Sequence, residues 1–313
     1  MLTGIMFIPC VVIEQYIHSV SDMNKDFTIV ILFVLLVYPL LVVAAKHTQS
    51  YAIFQSRGAS FTPPKRLAID EAVLTTPDGE RLHAWWLQTK DAKRTVLYFQ
   101  GNGTNVSHKI PRLKTFRKMG INALLIDYRG YGKSTGRVKN EVEIYTDGLT
   151  AWNFLTAEKG IDPEDIIIWG RSLGGGVATE IARFKDIAAL VLESTFYSLD
   201  EIAKRQYWFL PTTWLLNFHF ENGRKLKQVT APVVIIHSVE DDYIPFLHAD
   251  RLFEAASVPK YIIATTGSHW DSFDHHWTAF GSGSNRPGDR EASLSKLMEI
   301  LSLEQHYGTY HPP

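Results

Sequence analysis

The chain has 313 residues, with 32 basic against 33 acidic side chains and a formal net charge of −1. That balance argues against a nucleic-acid binder, which would carry a basic stripe, and 45% hydrophobic against 21% charged residues excludes a largely disordered chain. The length suits one large domain or two small ones. The single cysteine, Cys10, excludes an internal disulfide and a cysteine-based zinc site.

After a tail over 1–26, the run from Phe27 to Ala45 (FTIVILFVLLVYPLLVVAA) carries no charge, with Lys25 and Asp26 before it and Lys46 and His47 after it. A span needs ~20 mostly apolar residues to cross a ~30 Å hydrocarbon core, so a single transmembrane helix is predicted over 27–45. Pro39 is tolerable inside a membrane helix. A cleaved signal peptide is the rival reading, because Val43-Ala44-Ala45 resembles a small-residue cleavage site. Against it, the run is long for a signal and the preceding tail is not notably basic. Lys46, Arg57, Lys65 and Arg66 follow the span while Lys25 precedes it, which by the positive-inside rule puts the C-terminal domain on the cytoplasmic side.

Residues 46–68 read as a linker, with Gly58 and Pro63-Pro64 as breakers. Asp70–Thr76 and Leu82–Leu87 flank the turn Pro77-Asp78-Gly79 and predict an antiparallel hairpin at a sheet edge. Apolar strand candidates then follow at Thr95–Gln100, Ala123–Asp127, Ile166–Trp169, Ala189–Glu193, Val233–His237 and Tyr261–Thr265. Continuous apolar strands separated by helical stretches predict a mostly parallel sheet covered on both faces. The alternation reads as one α/β domain over 69–305, with a tail over 306–313.

Gly170-Arg171-Ser172-Leu173-Gly174 follows a strand and precedes the helical run Val177–Arg183. This strand–turn–helix setting is what a nucleophile elbow needs. Glycines at both ends let strand and helix approach, and the helix N-terminus turns free amides towards developing negative charge. A nucleophilic serine needs a histidine base oriented by a carboxylate, in the chain order serine, acid, histidine. The loop after Val233–His237 offers Glu240, Asp241 and Asp242; the loop after Tyr261–Thr265 offers His269. For the oxyanion hole, the residues suggest the amide of Leu173 and that of Asn102, in the turn Gly101-Asn102-Gly103. His275 and His276 would suggest a metal only with a third ligand, and none matches, so no metal is expected. Arg129-Gly130-Tyr131-Gly132 lacks the spacing of a phosphate loop, which argues against nucleotide binding.

Together these blocks resemble the BEM46-like α/β-hydrolases. The matching stretches are Gln100 to Asn105, Asp127 to Ser134, Gly170 to Gly175, Glu193 to Phe196 and His237 to Pro245. The resemblance implies an α/β-hydrolase fold with Ser172 as nucleophile and His269 as base. The family's H-G-x-x-D-x-x-V/I-P block overlays His237 to Pro245 and selects Asp241 over its two acidic neighbours. It also makes an N-terminal membrane anchor common. Three positions depart from the family pattern: Gln100 stands for a histidine, Ser238 for a glycine and Trp270 for an asparagine.

An insert at about 196–228 sits where this fold carries a small cap, and it holds Tyr197, Tyr207, Trp208, Phe209, Trp214, Phe218 and Phe220. Such rings would either cover an acyl chain and exclude water or pack the cap on the core. Lys204, Arg205, Arg224, Lys225 and Lys227 give the insert basic character compatible with anionic headgroups. The expectation is therefore a membrane-anchored serine hydrolase acting on acyl esters or thioesters, lipid-like ones foremost, without a cofactor. A serine peptidase of the same fold and a non-catalytic tethered scaffold are the alternatives.

Overall fold

Side-chain alternation along the strands builds two cores, one on each face of a single sheet. Leu97 and Phe99 face one core and Val96 and Tyr98 the other; Ile166 and Ile168 are likewise opposed to Ile167 and Trp169. A strand buried on both faces has no polar side to show, and for that reason these segments are continuous apolar runs. The computed structural model describes residues 24–55, 59–257 and 259–270 together with 297, 299 and 301. Cys10, Gly58, His275, His276 and the C-terminal tail lie outside the described residues.

The sheet has eight strands: β1 (Ile69–Thr75), β2 (Arg81–Leu87), β3 (Thr95–Phe99), β4 (Asn122–Ile126), β5 (Ile166–Arg171), β6 (Ala189–Glu193), β7 (Val233–Ser238) and β8 (Lys260–Thr265). Their spatial order is β1-β2-β4-β3-β5-β6-β7-β8. β2 runs antiparallel to both β1 and β4, and every other pair is parallel. This is the α/β-hydrolase fold with its edge hairpin. From β3 the chain crosses outward to β4, and from β5 it crosses the other way to β6. The carboxyl ends of β3 and β5 therefore border a crevice at the point where the winding reverses, the place where open α/β sheets bind ligands.

The chain divides into two units at Gln49 and Ser50. A helix beginning at Asn24 runs on to Ile53, past that division, 30 residues in all. At ~1.5 Å per residue it is ~45 Å long, more than a ~30 Å hydrocarbon core requires. It is long and apolar enough to cross a membrane, and a signal sequence meets the same criteria. Ahead of Pro39 it widens into a π-turn, Phe33–Val37, where the Tyr38 amide donates to the Phe33 carbonyl. The proline ring crowds the carbonyl one turn back, and a π-turn relieves that contact.

The helix outlasts the predicted span because no proline or glycine interrupts residues 46–53. The rest of the segment read as a linker is tied to the second unit. Phe54 packs edge-on against Phe218 with ring centroids 4.9 Å apart, and the Phe61 amide donates to Ser107 Oγ at 2.8 Å.

The insert carries three short helices, Leu199–Gln206, Thr212–Leu215 and Asn222–Leu226. Apart from Tyr197, which is partly buried against the core, the aromatic residues singled out in the sequence divide into two groups. Phe218 and Phe220 are fully buried in the core, whereas Tyr207, Trp208, Phe209 and Trp214 are exposed.

Candidate active site

β5 ends in a turn that only a tight fit holds together. Ser172 has φ 50° and ψ −118°, a backbone conformation costly for any residue with a Cβ. Its amide donates to the Glu193 carbonyl at 2.9 Å, and its carbonyl accepts from the Gly175 amide at 2.9 Å and Thr195 Oγ1 at 2.7 Å. A Cβ at Gly174 would lie 2.1 Å from the Phe99 carbonyl oxygen, and one at Gly170 would lie 2.5 Å from Ala178 Cβ. Both positions admit only glycine without displacing backbone or helix. The turn thus presents Ser172 at the head of the helix Leu173–Ala182. Leu173 is the first residue of that helix, so its amide lacks the carbonyl four residues back that serves an interior amide.

Three separated residues meet here. Ser172 Oγ lies 3.1 Å from His269 Nε2, and His269 Nδ1 lies 2.8 Å from Asp241 Oδ2. An ionised Asp241 can only accept, so Nδ1 carries the ring proton and Nε2 accepts from the serine hydroxyl. Asp241 Oδ1 accepts from the amides of Tyr243 at 3.0 Å and Ile244 at 2.7 Å. Burial pushes the Asp241 carboxyl up, but hydrogen bonds from His237, His269 and the Ile244 amide outweigh it and hold the group well below the usual carboxylate range. The Glu240 carboxylate is engaged elsewhere, accepting from the Gly267 amide at 2.7 Å, and the backbone carbonyl of Asp242 accepts from Arg205 at 3.2 Å.

The loop after β3 closes the other side. A Cβ at Gly101 would lie 3.1 Å from Ser172 Cβ, so the chain leading into Asn102 runs directly against the serine. Asn102 Oδ1 accepts from Tyr131 Oη at 2.9 Å and from the Gln55 amide at 2.9 Å, and the Gly103 amide donates to the Gln55 carbonyl at 2.8 Å. Asp127 steadies the same loop, accepting from the Val106 amide at 2.8 Å and from Gln100 Nε2 at 3.2 Å. Gln100, where the resemblance leads one to expect a histidine, thus makes a buried hydrogen bond.

Gln55, Arg171, Glu193 and Ser238 also shape the site, and sequence reasoning gave none of them that role. Glu193 is buried at the end of β6 and accepts from Arg112 Nη2 and Trp169 Nε1, each at 2.8 Å, with Arg171 Nε 3.4 Å away. Burial pushes the Glu193 carboxyl up, yet the two guanidiniums and the indole keep it below the ordinary carboxylate range. Arg171, so held, donates through Nη2 to the His269 carbonyl at 2.8 Å. Ser238 Oγ donates to the Gly267 carbonyl and accepts from the Glu240 amide, stitching the acid loop to the histidine loop. The variable position of a G-x-S-x-G motif and a glycine replaced by serine were the only signals, and neither names a partner. Tyr243 and Trp270 flank His269, with ring centroids 5.1 and 5.3 Å from the imidazole.

A model of the prolyl oligopeptidase family matches residues 107–284. An uncharacterized protein of Mycobacterium tuberculosis is 34% identical over 199 residues, covering 63% of this chain and 70% of its own. The α/β-hydrolase domain-containing protein WAV2 of Arabidopsis thaliana is 28% identical over 241 residues, covering 70% of this chain and 78% of its own. Among solved structures, an esterase of Pyrococcus furiosus is similar with a TM-score of 0.64 at 19% identity, over 80% of this chain and 97% of that one.

Proposed function

Because the chain belongs to the prolyl oligopeptidase family of α/β-hydrolases, we propose that it is a membrane-anchored serine hydrolase cleaving acyl esters or thioesters, lipid-like ones foremost. The observation that carries this reading is the Ser172–His269–Asp241 series of contacts, at 3.1 and 2.8 Å, beside the amide of Leu173. Ser172 Oγ attacks the carbonyl carbon while His269 Nε2 takes its proton. Asp241 fixes the tautomer and stabilises the imidazolium. The amides of Leu173 and Asn102 hold the tetrahedral oxyanion. Collapse expels the alcohol or thiol, protonated by His269, and leaves an acyl-enzyme. Water, deprotonated by the same imidazole, then releases the carboxylic acid and restores the serine.

The five blocks around the site support a place in the BEM46-like branch, from whose pattern Gln100, Ser238 and Trp270 depart. The apolar helix supplies the anchor, and Lys46, Lys65 and Arg66 favour a cytoplasmic hydrolase domain. The family match also supports a second reading, a serine peptidase acting on amides.

Two measurements test this. A fluorophosphonate probe is expected to label the detergent-solubilised chain and to leave Ser172→Ala unlabelled. A folded wild type that resists the probe overturns the hydrolase reading in favour of a scaffold. Turnover of acyl esters and thioesters is then compared with that of aminoacyl amides. Faster amide cleavage selects the peptidase.

A further inference from the structure

We propose that the insert is a docking face for an anionic lipid surface, with Trp208, Phe209 and Trp214 entering the interfacial layer beside the active-site entrance. This deepens the membrane-hydrolase reading by naming the phase that supplies substrate, and it rests on that reading.

Exposure is the first observation. Trp208 and Trp214 are 82% and 84% exposed, whereas Trp85, Trp86, Trp152 and Trp169 are all buried. Trp208 and Phe209 stand with ring centroids 6.0 Å apart, and Tyr207 and Phe209 6.5 Å apart, so these rings form a group. Large aromatic groups left open to water mark interaction surfaces. Tryptophan and tyrosine, each an apolar body with a polar tip, suit the headgroup layer.

Charge is the second. From Ile202 to Phe220 the chain has Lys204 and Arg205 but no aspartate or glutamate. The basic pair precedes the aromatic group and complements an anionic leaflet rather than a basic or neutral partner.

Position is the third. Arg205 donates to the carbonyl of Asp242, next to Asp241, so the aromatic stretch begins two residues from a side chain tied to the acid loop. Tyr243 and Trp270, which flank His269, are themselves 39% and 68% exposed. A bilayer seated on the insert therefore lies next to the entrance to Ser172.

The full chain, with Cys10→Ser to clear its one native thiol, is reconstituted with phosphatidylcholine–phosphatidylserine vesicles. An environment-sensitive fluorophore is attached at Thr213→Cys, exposed between the two tryptophans. A second preparation carries it at Ala157→Cys, exposed on the chain leading into the N-terminal end of β5. The fluorophore at 213 is expected to shift to the blue and lose several-fold in acrylamide quenching when vesicles are present, less so without phosphatidylserine, while 157 stays accessible. Trp208→Ser with Trp214→Ser is expected to restore quenching at 213 without changing labelling of Ser172. Full accessibility at 213 on vesicles overturns the proposal, as does equal shielding at 213 and 157. Shielding without vesicles that grows with protein concentration identifies a second copy as the occupant and also overturns it. Alkaline carbonate extraction and fluorophosphonate labelling report separately on the anchor and on the hydrolase, so failure of either is distinguishable from failure of docking.

Discussion

On the proposed mechanism Asp241 acts through the imidazole it holds. In Asp241→Asn the amide can donate to Nδ1, which stabilises the wrong tautomer, and kcat is expected to fall by about 10⁴-fold, the scale known for that change in a serine protease triad. The same carboxylate links folding to acidity. Its folded pKa is depressed below the ordinary value of 3.8, so the unfolded chain binds the proton more readily and stability falls with pH below that value. Thermal melts between pH 7 and pH 3 should show a shallower acid loss in Asp241→Asn than in the wild type. On the same mechanism Arg171 is a positioning residue, bonded to the His269 carbonyl rather than to the reacting atoms. Arg171→Met frees the His269 carbonyl but leaves Glu193 paired with Arg112 and Trp169. It is expected to lower kcat by about 100-fold, the cost of a small misplacement, with KM little changed and Arg171→Lys recovering part of the loss. A merely structural role would instead show as a lower melting temperature with kcat preserved in the folded fraction.

At the scale of elements, the site depends on three backbone segments packed against each other with no room for side chains. Gly174→Ala would push its new methyl into the carbonyls of Phe99 and Gln100. The expected cost is about 1–3 kcal/mol, typical of overpacking, or a melting temperature lower by about 2–12 °C in a domain of this size. The strands were legible in the sequence because burial on both faces leaves a continuous apolar run, and the elbow because glycine, serine and glycine stand between strand and helix. His269 was legible as the first histidine after the last strand. Choosing Asp241 over Glu240 and Asp242 needed the family resemblance, since loop geometry decides which of three adjacent acids points inward. The insert was legible as aromatic but not as two groups. Phe218 and Phe220 enter the core and Trp208 and Trp214 do not; of the four only Trp214 lies in a helix, and a turn or loop has no repeat from which to read the buried face.

At the scale of the whole molecule, a long apolar helix, Asn24–Ile53, precedes the α/β domain in the chain. Alkaline carbonate extraction is expected to leave the chain with the membrane fraction; release of the intact chain would argue against anchoring. Residues 46–68 looked like a spacer because their composition is that of one. Their bonds to Asn102, Gly103 and Ser107 run to residues distant in the chain, and no local pattern announces such partners.

Those bonds decide how much of the N-terminus a water-soluble form can do without. A chain shortened to begin near Lys46 sheds most of the apolar helix and keeps Gln55 bonded to Asn102 and Gly103 in the loop proposed to supply the second oxyanion amide. A chain begun at Ile69 retains all eight strands with Ser172, Asp241 and His269, yet removes that brace. The shorter form is expected to melt as a folded domain but turn over more slowly, by up to about 100-fold if the loop's amide is no longer aimed at the oxyanion. On that expectation the boundary of the active unit falls earlier in the chain than the boundary of its sheet.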